Sequence, residues 1–157
     1  MALEIRPDHD AHGHRYGLVA AHFNEAYVRR LVDAALDVLR GRGAADQDLE
    51  IVWVPGSFEL PLACRWAADT GRFDAVLAFG VVIRGETEHF RLVADAASQG
   101  LLQVMLDTGV PVLNGVLAAH DAAQAAARTG GELGNRGAEV ALAAVHMAQL
   151  RRTLGRR

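Results

Sequence analysis

Ala75-Val76-Leu77-Ala78-Phe79-Gly80-Val81-Val82-Ile83-Arg84-Gly85-Glu86-Thr87-Glu88-His89-Phe90 is the stretch whose reading decides the fold. The apolar run from Ala75 to Ile83 is too short to cross a membrane and lacks the alternation of a half-solvated strand, so it reads as a strand buried on both faces. The polar break after it predicts a helix with Thr87 as N-cap and Phe90, Val93, Ala97, Leu101 and Val104 on one face. A doubly buried strand running through a short loop into an amphipathic helix is half of a βαβ unit.

The flanking sequence repeats that alternation. Tyr16 to Ala21 reads as a strand, Asn24 as an N-cap, and Val28, Leu31, Val32, Ala35 and Leu39 as a helix face ended by Gly41. Glu50 to Val54 is the next strand, and Pro61 suits the first turn of a helix running to about Thr70. Val110 to Leu117 reads as a strand interrupted by Asn114-Gly115. Asp121 and Gln124 have the spacing of a capping box for a short helix to Thr129. Asn135 caps a last helix, whose basic end at Arg151 and Arg152 complements the helix dipole. The fold class is α/β, with residues 1–14 an arm and 15–157 a single domain. The arm, with His9, His12 and His14 and no periodicity, is flexible or docks on another subunit.

Composition narrows the chemistry. Every basic side chain is arginine, which excludes an imine on an enzyme lysine, a pyridoxal phosphate Schiff base and a Walker-type phosphate lysine. The formal net charge of -3 and the 6% of aromatic residues offer neither a basic nor a stacking surface, so no nucleic-acid partner is expected. With no apolar run near the ~18–20 residues of a membrane span and a polar N-terminus, no membrane partner is expected either. A single cysteine, Cys64, cannot form an internal disulfide, and a cytoplasmic location is the expectation.

Four short motifs lack their context. The three arm histidines have no cysteine or carboxylate at ligand spacing, so no metal is expected. Gly41-Arg42-Gly43 follows a helix and lacks the third glycine of a dinucleotide loop. Gly56-Ser57 lacks the second glycine of a nucleophile elbow. Cys64 lies on a helix face that should be buried and reads as a structural thiol.

In an open parallel sheet, ligands sit at the carboxyl ends of the strands. The residues there are His22, Phe23 and Asn24; then Gly56, Ser57, Phe58 and Glu59; then Gly85, Glu86, Thr87 and His89; with Asn114 in the fourth strand. These types suit a small planar polar ligand carrying an anion. Phe23 offers a ring face, and the amides around Ser57 and Glu59 can read a heterocycle. The amides of Gly85 to Thr87 open a helix and suit an oxyanion or phosphate. Glu86 and Glu88 repel such an anion, so an arginine must approach, and Arg128 is the candidate. His89 belongs to the side-chain type that titrates nearest neutrality and suits proton transfer.

The blocks Phe23-Asn24, Val54 to Pro61, Gly80 to Phe90, Val110 to Leu117 and Gly134 to Glu139 resemble those of 6,7-dimethyl-8-ribityllumazine synthases. The resemblance runs from about Tyr16 to Arg152 and is most specific in the Gly80 to Phe90 block. It implies a three-layer α/β/α, flavodoxin-like fold around a mostly parallel four-stranded sheet, with the N-terminal arm available to a neighbour's sheet. It also implies condensation of 5-amino-6-(D-ribitylamino)uracil with 3,4-dihydroxy-2-butanone 4-phosphate, the penultimate step of riboflavin synthesis, with no cofactor.

Carried over by motif, Phe23 would stack on the pyrimidine. Ser57, Phe58, Glu59, Val81, Val82 and Ile83 would hold the uracil and ribityl groups, Glu86, Thr87 and Arg128 the phosphate, and His89 would move protons. Asn114, Arg128 and Arg136 would come from the neighbouring subunit of a pentamer, with a 60-subunit shell a further expectation from the short Gly130 to Gly134 segment. The chain departs from the family at Arg136, where lysine is frequent, at Arg91-Leu92 and at His22. Asn114 replaces an aromatic present in some members. Two other readings remain at this point: a riboflavin synthase-like dismutation of lumazine, and a non-catalytic ligand-binding or shell-forming homologue.

Overall fold

The computed structural model describes residues 1–155, so the expected domain end at 157 lies outside the described residues. Strands β1 (Tyr16–Ala21), β2 (Leu49–Val54), β3 (Ala75–Ile83) and β4 (Val112–Ala119) form a sheet in the order β2-β1-β3-β4, with every neighbouring pair parallel. Helices α1 (Glu25–Gly41) and α5 (Arg136–Gly155) cover one face, and α2 (Leu60–Asp69) and α3 (His89–Thr108) the other. The expected three-layer α/β/α fold is the one observed. A short helix α4 (Ala122–Arg128) leads into an antiparallel ribbon of β5 (Thr129–Gly131) and β6 (Gly134–Asn135), where the sequence reading had only a short connection.

Burial explains why β3 is apolar throughout. Leu77, Phe79 and Val81 pack toward α1 and α5, while Val76 and Ala78 pack toward α2 and α3. Cys64 is fully buried in the second layer, and desolvation pushes its thiol up to about 12, which keeps it protonated and structural. At the edge, β2 pairs only with β1 and leaves Ile51 and Val52 exposed.

Several local expectations are corrected. The strand expected at Val110 to Leu117 begins at Val112 and runs unbroken through Asn114-Gly115. Gly115 is a close approach, not a turn, because a Cβ there would lie 2.5 Å from the Ala78 carbonyl oxygen and 2.6 Å from the Phe79 ring. Thr87 is not the N-cap of α3, a position held by Glu88, although its hydroxyl accepts from the His89 N–H at 3.3 Å. Asn24 does precede α1, but in a left-handed conformation (φ 59°, ψ 38°) and without a side-chain cap bond.

The other two caps form. Asp121 Oδ1 accepts from the Gln124 N–H at 2.8 Å, and Gln124 Oε1 accepts from His120 N–H, one residue further back than a standard box. Asn135 Oδ1 accepts from the Gly137 N–H at 2.8 Å, and its amide donates to the Arg30 carbonyl at 3.2 Å. At the far end of α5, Arg152 bonds Asp74 at 3.3 Å. The last part of the arm lies against this helix, with Gln149 bonded to Asp8 and to the His9 N–H and with Ala11 fully buried.

Candidate functional site

The carboxyl ends of β1, β2 and β3 open on a cavity of about 520 Å³. Phe23, Ser57, Phe58, Glu59, Val81, Val82, Ile83, Thr87 and His89 all line it. The placement follows from chain connectivity, because each residue lies within a few positions of a strand end.

Phe23 is fixed through its backbone. His22 and Phe23 N–H groups donate to the Val54 and Pro55 carbonyls at 2.7 and 3.0 Å, which prolongs the β1–β2 pairing past the strand ends. The Phe23 ring is left 73% exposed and the Phe58 ring 65%, so two aromatic faces stand unpacked at the cavity. Beyond β2, a 3-10 turn over Ser57–Glu59 leads into α2, with Pro61 in its first turn.

Ser57 is buried against β3, and the reason is Gly80. A Cβ at Gly80 would lie 2.2 Å from Ser57 Oγ, so the hydroxyl occupies the space a side chain would take. Gly80→Ala is expected to push the Ser57 turn outward and cost about 1–3 kcal/mol, read as a lower urea midpoint at unchanged slope. An unchanged midpoint would show that the turn yields freely.

The third loop carries the charge. Gly85, Thr87, His89, Phe90 and Val93 border the cavity, and Glu86, expected with them, is exposed beside it without lining it. Glu88 lies 3.6 Å from Arg91 across the first turn of α3, a contact between exposed groups that partly offsets the carboxylate next to the loop.

Asn114, Arg128 and Arg136 do not join these residues. The Asn114 amide donates to Ser98 Oγ on α3 at 2.8 Å. Arg128 and Arg136 line a separate cavity of about 280 Å³ with Leu117, Leu133 and Glu139, where Arg136 pairs with Glu139 at 2.8 Å. One chain therefore carries two groups of expected site residues: an aromatic and main-chain cavity bordered by His89, and an arginine pair elsewhere.

Sequence reasoning missed Phe90 and Val93 as cavity residues. Both were assigned to the core stripe of α3, yet they reach the cavity because they occupy its first turn and a half. Asn24, expected both as the N-cap and among the residues at the end of β1, stands before α1 but does not line the cavity, and its side-chain amide donates to the Val81 carbonyl at 2.7 Å. Its position between Phe23 and α1 was the available signal. The arm histidines lie elsewhere, with His9 Nε2 3.4 Å from His146 Nδ1, and among the described residues no three His, Cys, Asp or Glu side chains converge as a metal site.

Comparison with known proteins adds a family match. The family model described as 6,7-dimethyl-8-ribityllumazine synthase matches residues 13–152. The 6,7-dimethyl-8-ribityllumazine synthase of Halorhodospira halophila is 51% identical over 140 residues, covering 89% of this chain and 90% of that protein. The chloroplastic 6,7-dimethyl-8-ribityllumazine synthase of Arabidopsis thaliana is 42% identical over 138 residues, covering 88% of this chain and 61% of that protein.

Proposed function

The chain belongs to the 6,7-dimethyl-8-ribityllumazine synthase family, and from that premise we propose that it condenses 5-amino-6-(D-ribitylamino)uracil with 3,4-dihydroxy-2-butanone 4-phosphate. The products are 6,7-dimethyl-8-ribityllumazine, phosphate and water, in the penultimate step of riboflavin synthesis. The observation that carries this reading is the single cavity at the ends of β1, β2 and β3, where Phe23, the Val81 to Ile83 main chain and His89 meet.

The chemistry follows from the residues. The pyrimidine's own amine attacks the ketone, so the imine needs no enzyme lysine, and this chain has none. Phe23 offers the pyrimidine a ring face, while Ser57 to Glu59 and Val81 to Ile83 offer it peptide donors and acceptors. The second substrate's phosphate lies toward Glu86 and Thr87, at the opening of α3. His89 takes and returns protons as the imine forms, phosphate leaves and the ring closes between groups held in position.

The anion requires a cation that this cavity lacks. Arg128 and Arg136, in their separate cavity, serve a neighbouring copy, as does Asn114, and Arg128 takes the phosphate in a bidentate contact. The assembly is a pentamer, and pentamers pack into a 60-subunit shell. The part of the N-terminal arm before Asp8 adds to a neighbour's sheet at the open edge of β2. Light scattering on the purified protein tests this, and an isolated monomer overturns it. No described helix is long and apolar enough to cross a membrane; the cytoplasm is the compartment proposed for the reaction.

Mixing the protein with both substrates tests the reaction itself. Lumazine absorbance and phosphate release should rise together above the uncatalysed rate. Lumazine formation no faster than without protein overturns the proposal.

A further inference from the structure

We infer that Asn24 is a positioning residue of this site: its side-chain amide replaces the strand that β3 lacks beyond β1, and so holds the Ile83 main chain toward the cavity as a rung for the pyrimidine edge. The pyrimidine as ligand rests on the proposed function; the tie itself does not.

Asn24 has a left-handed backbone, at φ 59°, and asparagine is among the few residues that tolerate that region. Its side chain does not cap α1. Its carbonyl accepts from the Tyr27 and Val28 N–H groups at 3.1 and 3.2 Å, as that of the residue before any helix does. The side-chain N–H, which a cap would not use, donates to the Val81 carbonyl at 2.7 Å, and among the described residues this is the one side-chain hydrogen bond that joins the β1–α1 turn to β3.

Strand geometry says what that contact replaces. In a parallel sheet, successive residues turn their N–H and C=O groups to alternate neighbours. The Val76 N–H bonds the Pro111 carbonyl and the Arg84 N–H bonds the Ala119 carbonyl, at 2.8 and 2.9 Å, so the even-numbered residues of β3 face β4. Val81 and Ile83 therefore face the β1 side. Pairing with β1 ends at Ala20 and Phe79, which leaves Val81 as the next rung without a strand. Asn24 takes it.

Ile83, one rung further on, borders the cavity, and Phe23, the neighbour of Asn24 in sequence, borders it from the other side. A planar heterocycle with a donor beside an acceptor can bond the Ile83 N–H and C=O as a further strand would. Asn24 thus sets the line of the β3 overhang beside Phe23, whose own backbone the Pro55 carbonyl holds.

Two variants isolate the tie, because glycine and aspartate both accept a left-handed backbone and neither can donate to Val81 at neutral pH. Asn24→Gly is expected to raise KM for the pyrimidine about tenfold, equivalent to about 1.4 kcal/mol, and Asn24→Asp to raise it further as its carboxylate faces the Val81 carbonyl. The turnover number and KM for the butanone phosphate should stay within about threefold, because neither reflects uniform binding of the pyrimidine. A pyrimidine KM that stays near the parent value in both variants overturns the inference. So does a parallel fall in all constants together with the unfolding midpoint, which would mark a purely structural role.

Hydrogen exchange reads the same tie without substrate. Amides across 79–84 should exchange faster in both variants, and unchanged exchange overturns the inference whatever the reaction proves to be. A parent protein that forms no lumazine overturns the proposed function alone.

Discussion

Replacing Gly137 with alanine should lower the unfolding midpoint by about 6–12 °C, from a loss of about 3 kcal/mol at about 2–4 °C per kcal/mol. α5 crosses α1 at this residue, and a Cβ there would lie 2.1 Å from the Leu31 carbonyl oxygen and 2.7 Å from its carbon. The obstacle is backbone in the middle of a helix, so no side-chain rotation relieves it. Sliding the helices apart is also opposed. Val28, Leu31, Val32, Ala141, Ala144 and Val145 are fully buried along this contact, and Asn135 bonds both the Arg30 carbonyl and the Gly137 N–H. Thermal and urea unfolding measure the effect, and a loss below about 0.5 kcal/mol would show that α5 shifts without penalty. The same displacement would move Arg136, so assembly and turnover should fall with stability in this variant.

His89→Ala should do the reverse, lowering turnover by about 100-fold or more while leaving the fold intact, as expected for loss of a general acid–base group. His89 is exposed at the first position of α3 and borders the cavity, and its N–H is the group bonded by Thr87. That backbone bond survives truncation of the side chain. Alanine is also a good helix former, so α3 keeps its start. Unfolding midpoint and particle size should match the parent, with KM for either substrate changed much less than turnover. Unchanged rates would remove His89 from the mechanism.

The residues that set the layers were legible because burial leaves a periodic trace. The apolar run at Ala75 to Ile83, the stripe on α1 and that on α3 beyond its first turns are such traces, and each appears in the structure where the pattern put it. Boundaries governed by a single close contact were not legible. Asn114-Gly115 has the composition of a turn, yet Gly115 lets β4 lie against Phe79, and the partner that decides this is far away in sequence. At Asn24 the position was legible and the side-chain bond was not. Asparagine before a helix marks a cap, and Asn24 stands there, but only the position of β3 shows that its side-chain N–H has the Val81 carbonyl as acceptor. The cavity residues could be collected because strand ends are local features. The place of Arg128 relative to them is set by connections after β4, and their separation into a second cavity has no signature along the chain.

The all-parallel sheet also governs how this chain must reach its fold. With no hairpin in it, no two of its strands can pair until the helix between them has been spanned, so every rung closes a long loop. Such topologies fold slowly, and the exposed rim at β2 stays open to wrong partners throughout. Glu50 on that strand, held at 2.6 Å by Arg72, places a charge on the rim where an unselective strand addition would begin. Refolding yield should therefore depend on chain concentration more steeply than native stability does, because the chain is vulnerable while its strands are still unpaired.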